Sequence, residues 1–378
     1  MKQGWRSKKL GDVCEVIAGQ SPKGEYYNSD GVGLPFYQGK KEFTGKYIGL
    51  PKKWTSVTTK EALKDDVLMS VRAPVGPVNF STQRICIGRG LAAIRTGSLI
   101  NKEFLYNFLV NHENQIVGNT GAVFNSINQT QIKSIPIPVP PLEEQKQIVA
   151  KLDQCFEAID KAKANAAKNL ENAKELFQSK LNEIFSQKGE GWVEKKLGAA
   201  CLITMGQSPK GTSYNQEGEG VPLINGPVEF GKDSFDKTIK SKFTTEPTKM
   251  CRQGDLILCV RGSTTGKINI AGFDACIGRG VASIRFDQNQ RWLDYFIRSK
   301  RNEIYSLGTG STFPNVSRTI LSKLPFLIPP VEQQNRLVET MNKLLSSTNL
   351  LQVKYQQELN SLEELKKSIL QKAFEGEL

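Results

Sequence analysis

Hydrolytic or redox chemistry in this 378-residue chain would have few side chains to draw on. There is one histidine, His112, and no Gly-x-Ser-x-Gly turn to go with it, so a structural imidazole is the simpler reading. The seven cysteines, Cys14, Cys86, Cys155, Cys201, Cys251, Cys259 and Cys276, include no Cys-x-x-Cys pair. An odd, scattered set points to free buried thiols, not to a disulfide framework or a zinc site. Gly262-Ser-Thr-Thr-Gly266-Lys267-Ile268 approaches a phosphate loop, but it is one residue short between its glycines. Ile also stands where a hydroxyl would hold Mg²⁺, which argues against ATP binding. There is no strand-following Gly-x-Gly-x-x-Gly, no Asn-Pro-Pro-aromatic segment and no convincing Asp…Glu-x-Lys nuclease cluster.

The chain does carry chemistry for a polyanion. Lys and Arg number 51 against 38 Asp and Glu, a net charge of +13. Lys40, Lys41 and Lys46 lie among Phe36, Tyr37, Phe43 and Tyr47, with Lys52, Lys53 and Trp54 just beyond. Lys232, Lys240 and Lys242 lie beside Phe230, Phe235 and Phe243. Cations can neutralise phosphates while aromatic and polar neighbours touch bases. Gly19-Gln20-Ser21-Pro22-Lys23-Gly24 recurs unchanged as Gly206-Gln207-Ser208-Pro209-Lys210-Gly211. Its glutamines could pair with an adenine edge and its lysines could reach a phosphate. An identical motif cannot by itself distinguish two base sequences, which favours structure or backbone contact over base reading. Arg72 and Arg261, Arg89 and Arg279 in Gly-Arg-Gly turns, and Lys267 complete the candidate DNA-binding set.

Those residues must be positioned by a duplicated chain. Over positions 4–43, 21 of 40 residues recur at an offset of 187. Cys86-Ile-Gly-Arg-Gly90 recurs as Cys276 to Gly280, and Pro140-Pro141 with Glu143 and Gln145 recurs as Pro329-Pro330 with Glu332 and Gln334. Each repeat begins with a stretch rich in Gly, Pro and short β-like runs. Asp66–Arg72, Asp255–Arg261, Leu91–Arg95 and Val281–Arg285 read as strands, and Phe104–Val110 and Trp292–Arg298 as short helices. The fold class expected is α/β, with two pseudo-repeated globular domains and two long helices.

The helices follow from a seven-residue apolar spacing. The first carries Leu142, Val149, Phe156, Leu170, Phe177 and Ile184, with Leu152 and Ile159 in the accompanying series; Gln145, Lys163 and Lys180 interrupt it. The second carries Val338, Met341, Leu345, Leu359, Leu362 and Ile369, with Leu351 and Leu365 widening the stripe. At 1.5 Å per residue each helix is roughly 65 Å long. A heptad helix cannot bury its stripe alone, so the two are expected to pack as an antiparallel coiled coil. The alternative is that each folds back on its own domain.

The expected segments are 1–140, 141–187, 188–329 and 330–378. Their net charges are +8, −1, +7 and −1, so the whole excess lies in the globular domains. Two basic modules joined by neutral helices suit a polyanion held at two places. No apolar signal region and no run approaching ~20 apolar residues is present, and a cytoplasmic location is expected.

These features together resemble the specificity (S) subunit of type I restriction–modification enzymes. The resemblance rests on Trp5 with Lys9-Leu10-Gly11, Gly19-Gln-Ser-Pro22, Thr120-Gly121 with Phe124, and Ile135-Pro136 to Pro140-Pro141. Glu143-Glu144-Gln145 then opens the long helix. These features recur in the second half, and the resemblance extends to the tail Lys372 to Leu378. It implies two target-recognition domains, each reading one half of a bipartite, interrupted DNA site, and two helices acting as a ruler. It also implies that chemistry lies in partners: two methyltransferase (modification) subunits using S-adenosylmethionine, and restriction subunits using ATP and Mg²⁺. This chain would then bind double-stranded DNA and hold no cofactor or metal. The alternatives are a stand-alone DNA nuclease and a coiled-coil scaffold that does not bind DNA.

Overall fold

The computed structural model describes residues 4–116, 119–120, 125–309 and 314–378. Two compact units are present, and neither coincides with one repeat. One comprises residues 1–167 and 356–378, the other residues 168–355. Each unit therefore takes one globular domain and a portion of both long helices.

In the first unit, alternating apolar runs form a four-stranded antiparallel sheet in the order Cys14–Ala18, Leu91–Thr96, Val67–Ser70, Val78–Phe80. A second sheet runs Tyr27–Asn28, Trp54–Thr55, Leu34–Tyr37, Ile85–Ile87, Glu61–Ala62, with one parallel pairing, Phe36 opposite Cys86. The central strand Val67–Ser70 is buried throughout, so neighbours cover both faces. One face meets the helix Lys102–His112, which Asn101 caps by accepting hydrogen bonds from the N–H groups of Glu103 (2.9 Å) and Phe104 (3.1 Å). Arg6–Lys9 pairs with Pro136–Val139, tying the domain's two ends together just before the long helix.

The second unit repeats this plan. Its sheets run Leu202–Met205, Val281–Arg285, Leu256–Cys259, Ile268–Ile270 and Tyr214–Asn215, Phe243–Thr244, Val221–Ile224, Ala275–Ile277, Met250–Cys251. The helix Gln290–Ser299 matches Lys102–His112, with Asn289 as its cap. Val67–Ser70 and Leu256–Cys259 are shorter than the expected runs Asp66–Arg72 and Asp255–Arg261, whereas Leu91–Thr96 extends one residue beyond the expected Leu91–Arg95 and Val281–Arg285 is as expected. The two short helices are longer than expected.

The long helices are Leu142–Ser186 and Val331–Glu375. In the first unit Lys366 pairs with Asp160 at 3.0 Å, and Glu363 pairs with Lys163. A step of three forward on one helix meets a step of three back on the other, so the two segments run antiparallel. Leu152, Ile159, Ala166, Leu370 and Ala373 are buried there, with Val149 and Phe156 against the same core. In the second unit Phe177, Leu181, Phe185 and Met341 are buried, with Val338 and Leu345 beside them. Leu170, Leu359, Leu362 and Ile369 are half-buried.

Helix pairing and packing onto a domain both occur, because one stripe serves both. Phe374 meets Phe104 and Phe108 edge-on at 5.1 and 5.6 Å in the first unit. Phe185 sits 4.6 Å from Trp292 and 5.7 Å from Phe296 in the second. Leu142, first in the heptad series, is exposed, as are Leu351 and Leu365. Gln145 is buried instead. Its Oε1 accepts from the Asn101 N–H (2.8 Å), and its Nε2 donates to the carbonyls of Leu99 (2.9 Å) and Pro140 (2.8 Å). The apparent interruption is therefore a polar bracket between helix and domain. Gln334 repeats one arm of it, donating to Pro329 at 2.8 Å. Among the described residues no helix is long and apolar enough to cross a membrane.

Candidate nucleic-acid interface

The repeated Gly-Gln-Ser-Pro-Lys-Gly segment leaves a strand of the four-stranded sheet and is held by its backbone. Gly19 N–H donates to Leu91 O (2.9 Å) and Gln20 N–H to Ile87 O (3.0 Å); the Thr59 hydroxyl donates to Gln20 O. In the second unit Gly206 donates to Val281 O and Gln207 to Ile277 O, both at 2.9 Å, and Thr248 donates to Gln207 O. A Cβ on Gly19 would lie 2.2 Å from Gly88 O, and one on Gly206 would lie 2.1 Å from Gly278 O. Only glycine lets the loop approach the Cys-Ile-Gly-Arg-Gly turn so closely. The two motifs, far apart in each repeat, thus form one frame.

That frame brings together several of the expected residues. Gln20, Lys23 and Arg89 are exposed on it in the first unit, and Gln207, Lys210 and Arg279 in the second. The Arg89 N–H donates to Ser21 Oγ at 3.3 Å, and the Arg279 N–H to Ser208 Oγ at 3.2 Å. The arginine side chains are left to solvent while their backbones hold the loop.

Beside the frame of the first unit lies a cleft of about 410 Å³, lined by Tyr27, Phe36, Gln38, Lys40, Lys41, Glu42, Lys52 and Lys53. Tyr27 stacks on Phe36 (centroids 4.7 Å apart), and Lys53 Nζ lies 5.7 Å from the Tyr27 ring centre. Lys40 and Lys41 are exposed. In the second unit Lys242 takes the corresponding place over Tyr214 at 5.7 Å, and Lys240 lies 5.2 Å from the Phe273 ring centre. Lys232 and Lys240 are exposed and Lys242 is half-buried.

Lys46 stands apart from this group. It is half-buried against Phe80 and Tyr106 and pairs with Glu103 at 2.8 Å. Burial opposes its charge, but Glu103 outweighs that and holds the ammonium above its ordinary range. A cation already spent on a carboxylate is a poor phosphate contact, so Lys46 belongs to the domain's packing. Arg95 and Arg285 are likewise engaged, each in a two-pronged pair with a buried aspartate, Asp66 or Asp255. Arg72 and Arg261 are exposed at strand ends. Lys267 is exposed in a loop linking two antiparallel strands, Leu256–Cys259 and Ile268–Ile270. No helix follows that loop, as a phosphate loop requires.

The remaining chemical candidates sit in packed surroundings. His112 stacks on Phe108 at 5.2 Å, and burial lowers its pKa. All seven cysteines are free, and six are buried. Burial pushes the Cys14 and Cys259 thiols up to about 11, and those of Cys201 and Cys251 to about 12, away from reactivity.

Sequence reasoning missed Gln38 and Asn225. The Ser21 hydroxyl donates to Gln38 Oε1 at 3.1 Å, and Gly90 N–H donates to Gln38 O at 3.1 Å. A Cβ on Gly278 would overlap Asn225 Oδ1 at 1.7 Å. Both amides therefore sit against the frame. The offset of 187 does pair the two amides, each before a shared glycine, Gly39 and Gly226, but their other neighbours differ.

A family model for the type I restriction modification DNA specificity domain matches residues 2–169 and again 189–361. The chain belongs to that family. Among its relatives is the StySPI specificity subunit of Salmonella potsdam, 25% identical over 100% of this chain and 90% of the relative. A putative MjaX specificity subunit of Methanocaldococcus jannaschii is 39% identical over 186 residues, which is 47% of this chain and 42% of that protein. A solved chain from work on complex assembly and conformational transition of the type I R-M system superposes with a TM-score of 0.82. It is 26% identical and covered to 99%, with all of this chain aligned. The HsdS subunit of Thermoanaerobacter tengcongensis gives a TM-score of 0.70 at 25% identity, over 100% of this chain and 98% of that one. Two family motifs fall partly outside the described residues: Gly121 and Phe124, and their repeats Gly310 and Phe313.

Proposed function

We propose that this chain is the non-catalytic DNA sequence-specificity subunit of a type I restriction–modification complex. Each globular domain reads one half of a bipartite, interrupted site in double-stranded DNA. The long helices set the spacing and dock two methyltransferase subunits. S-adenosylmethionine, ATP and Mg²⁺ then belong to the methyltransferase and restriction subunits and not to this chain. The observation that carries this reading is the duplicated frame. Two copies of one loop-on-turn arrangement each present an exposed glutamine, lysine and arginine, in two domains of family-typical fold. Basic side chains on a rigid support supply backbone affinity, while the neighbouring surface supplies sequence discrimination.

The test is the methylome. The chain is co-expressed with its modification subunit, and the DNA is sequenced for N6-methyladenine. One asymmetric, interrupted motif is the expected result, and replacing residues 190–329 should change only one of its halves. Methylation without sequence preference overturns the proposal.

A further inference from the structure

The two frames are the same, so they cannot account for two different half-sites. One segment that differs while touching the frame is short and presents an exposed middle. After Gln38 and Asn225 the chain enters matching 3₁₀ turns, Lys40–Glu42 in the first unit and Pro227–Glu229 in the second. The first reads Gln38-Gly39-Lys40-Lys41-Glu42, the second Asn225-Gly226-Pro227-Val228-Glu229. The ends of the turn agree and its exposed middle does not. Glu229 is buried and accepts from the N–H groups of Asn225 (3.1 Å) and Gly226 (3.2 Å), so the second turn is rigid. Val228 is nevertheless 76% exposed, an aliphatic side chain held out to solvent by a fixed backbone. Lys40 and Lys41 are exposed in the equivalent place and, among the described residues, neither meets a carboxylate within 4 Å.

The geometry points to residues 38–41 and 225–228 as the elements that make the two half-sites different; this inference rests on the specificity-subunit reading above. The chemistry of the two turns is opposite. Lysines only donate, and in the major groove guanine offers two acceptors, O6 and N7. A valine beside a proline offers no hydrogen bond and instead suits the C5 methyl of thymine. The amides, Gln38 and the shorter Asn225, have adenine as their natural partner in both domains. The first domain should therefore select a guanine next to this turn, and the second a thymine.

Reciprocal grafts test this in the complex with the modification subunits. One chain carries Gln38→Asn, Lys40→Pro and Lys41→Val; the other carries Asn225→Gln, Pro227→Lys and Val228→Lys. Sequencing of N6-methyladenine is expected to show one or two bases changed in one half for the first graft and in the other half for the second. Preference at the altered base should fall by about tenfold or more. For Val228, deoxyuridine is substituted for each thymine of the half-site in turn. One position should weaken binding about fourfold, the worth of one methyl group, and Val228→Ser, which has no methyl, should lessen that sensitivity.

If both grafts leave both halves unchanged and only flatten the salt dependence, these residues are phosphate contacts and the inference is overturned. If a graft folds but no longer methylates, selection of bound duplexes from a randomised pool replaces the readout, and recovery of the wild-type motif overturns it. If a graft lowers the thermal transition, the single changes Lys41→Gln and Val228→Ser, both at exposed positions, carry the same test. A wild-type complex with no bipartite motif counts against the proposed function itself. A bipartite wild-type motif that survives both grafts counts against this inference alone.

Discussion

Replacing Lys23 and Lys210 together by glutamine should flatten the salt dependence of DNA binding without changing the motif. Both lysines follow the same rigid Gly-Gln-Ser-Pro loop, and their carbonyls accept from the N–H groups of Tyr26 (3.1 Å) and Ser213 (3.0 Å). Both side chains are exposed. Among the described residues Lys23 has only a loose carboxylate neighbour, Glu25 at 3.8 Å, and Thr212 stands where Lys210 would find the equivalent carboxylate. Each phosphate neutralised contributes about 0.9 to the slope of log K against log salt, so the double variant should lose about 1.8. Between 50 and 200 mM salt, the parent should then lose roughly twelvefold more affinity than the variant. The assay is fluorescence anisotropy of a labelled duplex with the assembled complex across that range. Lys46→Gln is the internal control. Its charge is spent on Glu103, so it should leave the slope unchanged and cost about 1 kcal/mol of stability. An unchanged slope in the double variant, or a Lys46→Gln slope that falls as far, refutes the reasoning.

Three further outcomes are expected. Asp294 is buried, accepts from Gln290 Nε2 at 2.9 Å, and is pushed up from 3.8 to about 7 by that burial. The folded state then holds the proton more tightly than the unfolded chain, so this contribution to stability is complete below the unfolded value. It is lost as pH rises through about 7. Asp294→Asn should match the parent near pH 4 and exceed it above pH 7 by up to about 4 kcal/mol, read from denaturant midpoints; equal midpoints at both pH values would refute this. Gln145→Leu strands the Asn101 N–H and the carbonyls of Leu99 and Pro140, and should cost about 3 kcal/mol or more in the first unit's unfolding. Two heptads inserted in one long helix should alter or abolish the gap in the methylated motif, and an unaltered gap removes the helices from the role of ruler.

Much of the architecture was legible because periodicity is local. The repeat offset, the apolar heptads and the confinement of charge to two segments need no knowledge of what touches what. The site was only half legible. Gln20, Lys23, Gln207 and Lys210 were visible as a motif, and the Gly-Arg-Gly turns as another. Nothing in either segment says that one glycine must pass within contact distance of the other's carbonyl. Gln38 and Asn225 were hidden because an amide on a strand end looks ordinary until its neighbour across the sheet is known.

From its sequence alone, this protein is a duplicated pair of basic α/β domains carrying two neutral heptad helices. Tertiary structure decided how those parts are divided, since each compact unit takes a domain and portions of both helices. It also decided which polar groups are available. Lys46 is consumed by a carboxylate on a later helix, Gln145 is drawn inside to bracket that helix's entry, and Leu142 is turned out. The physical reason is the same in each case. A hydrophobic stripe specifies that it must be buried but not against what, and a charge specifies a field but not its partner. Both are settled only when residues distant in sequence compete for the same contact.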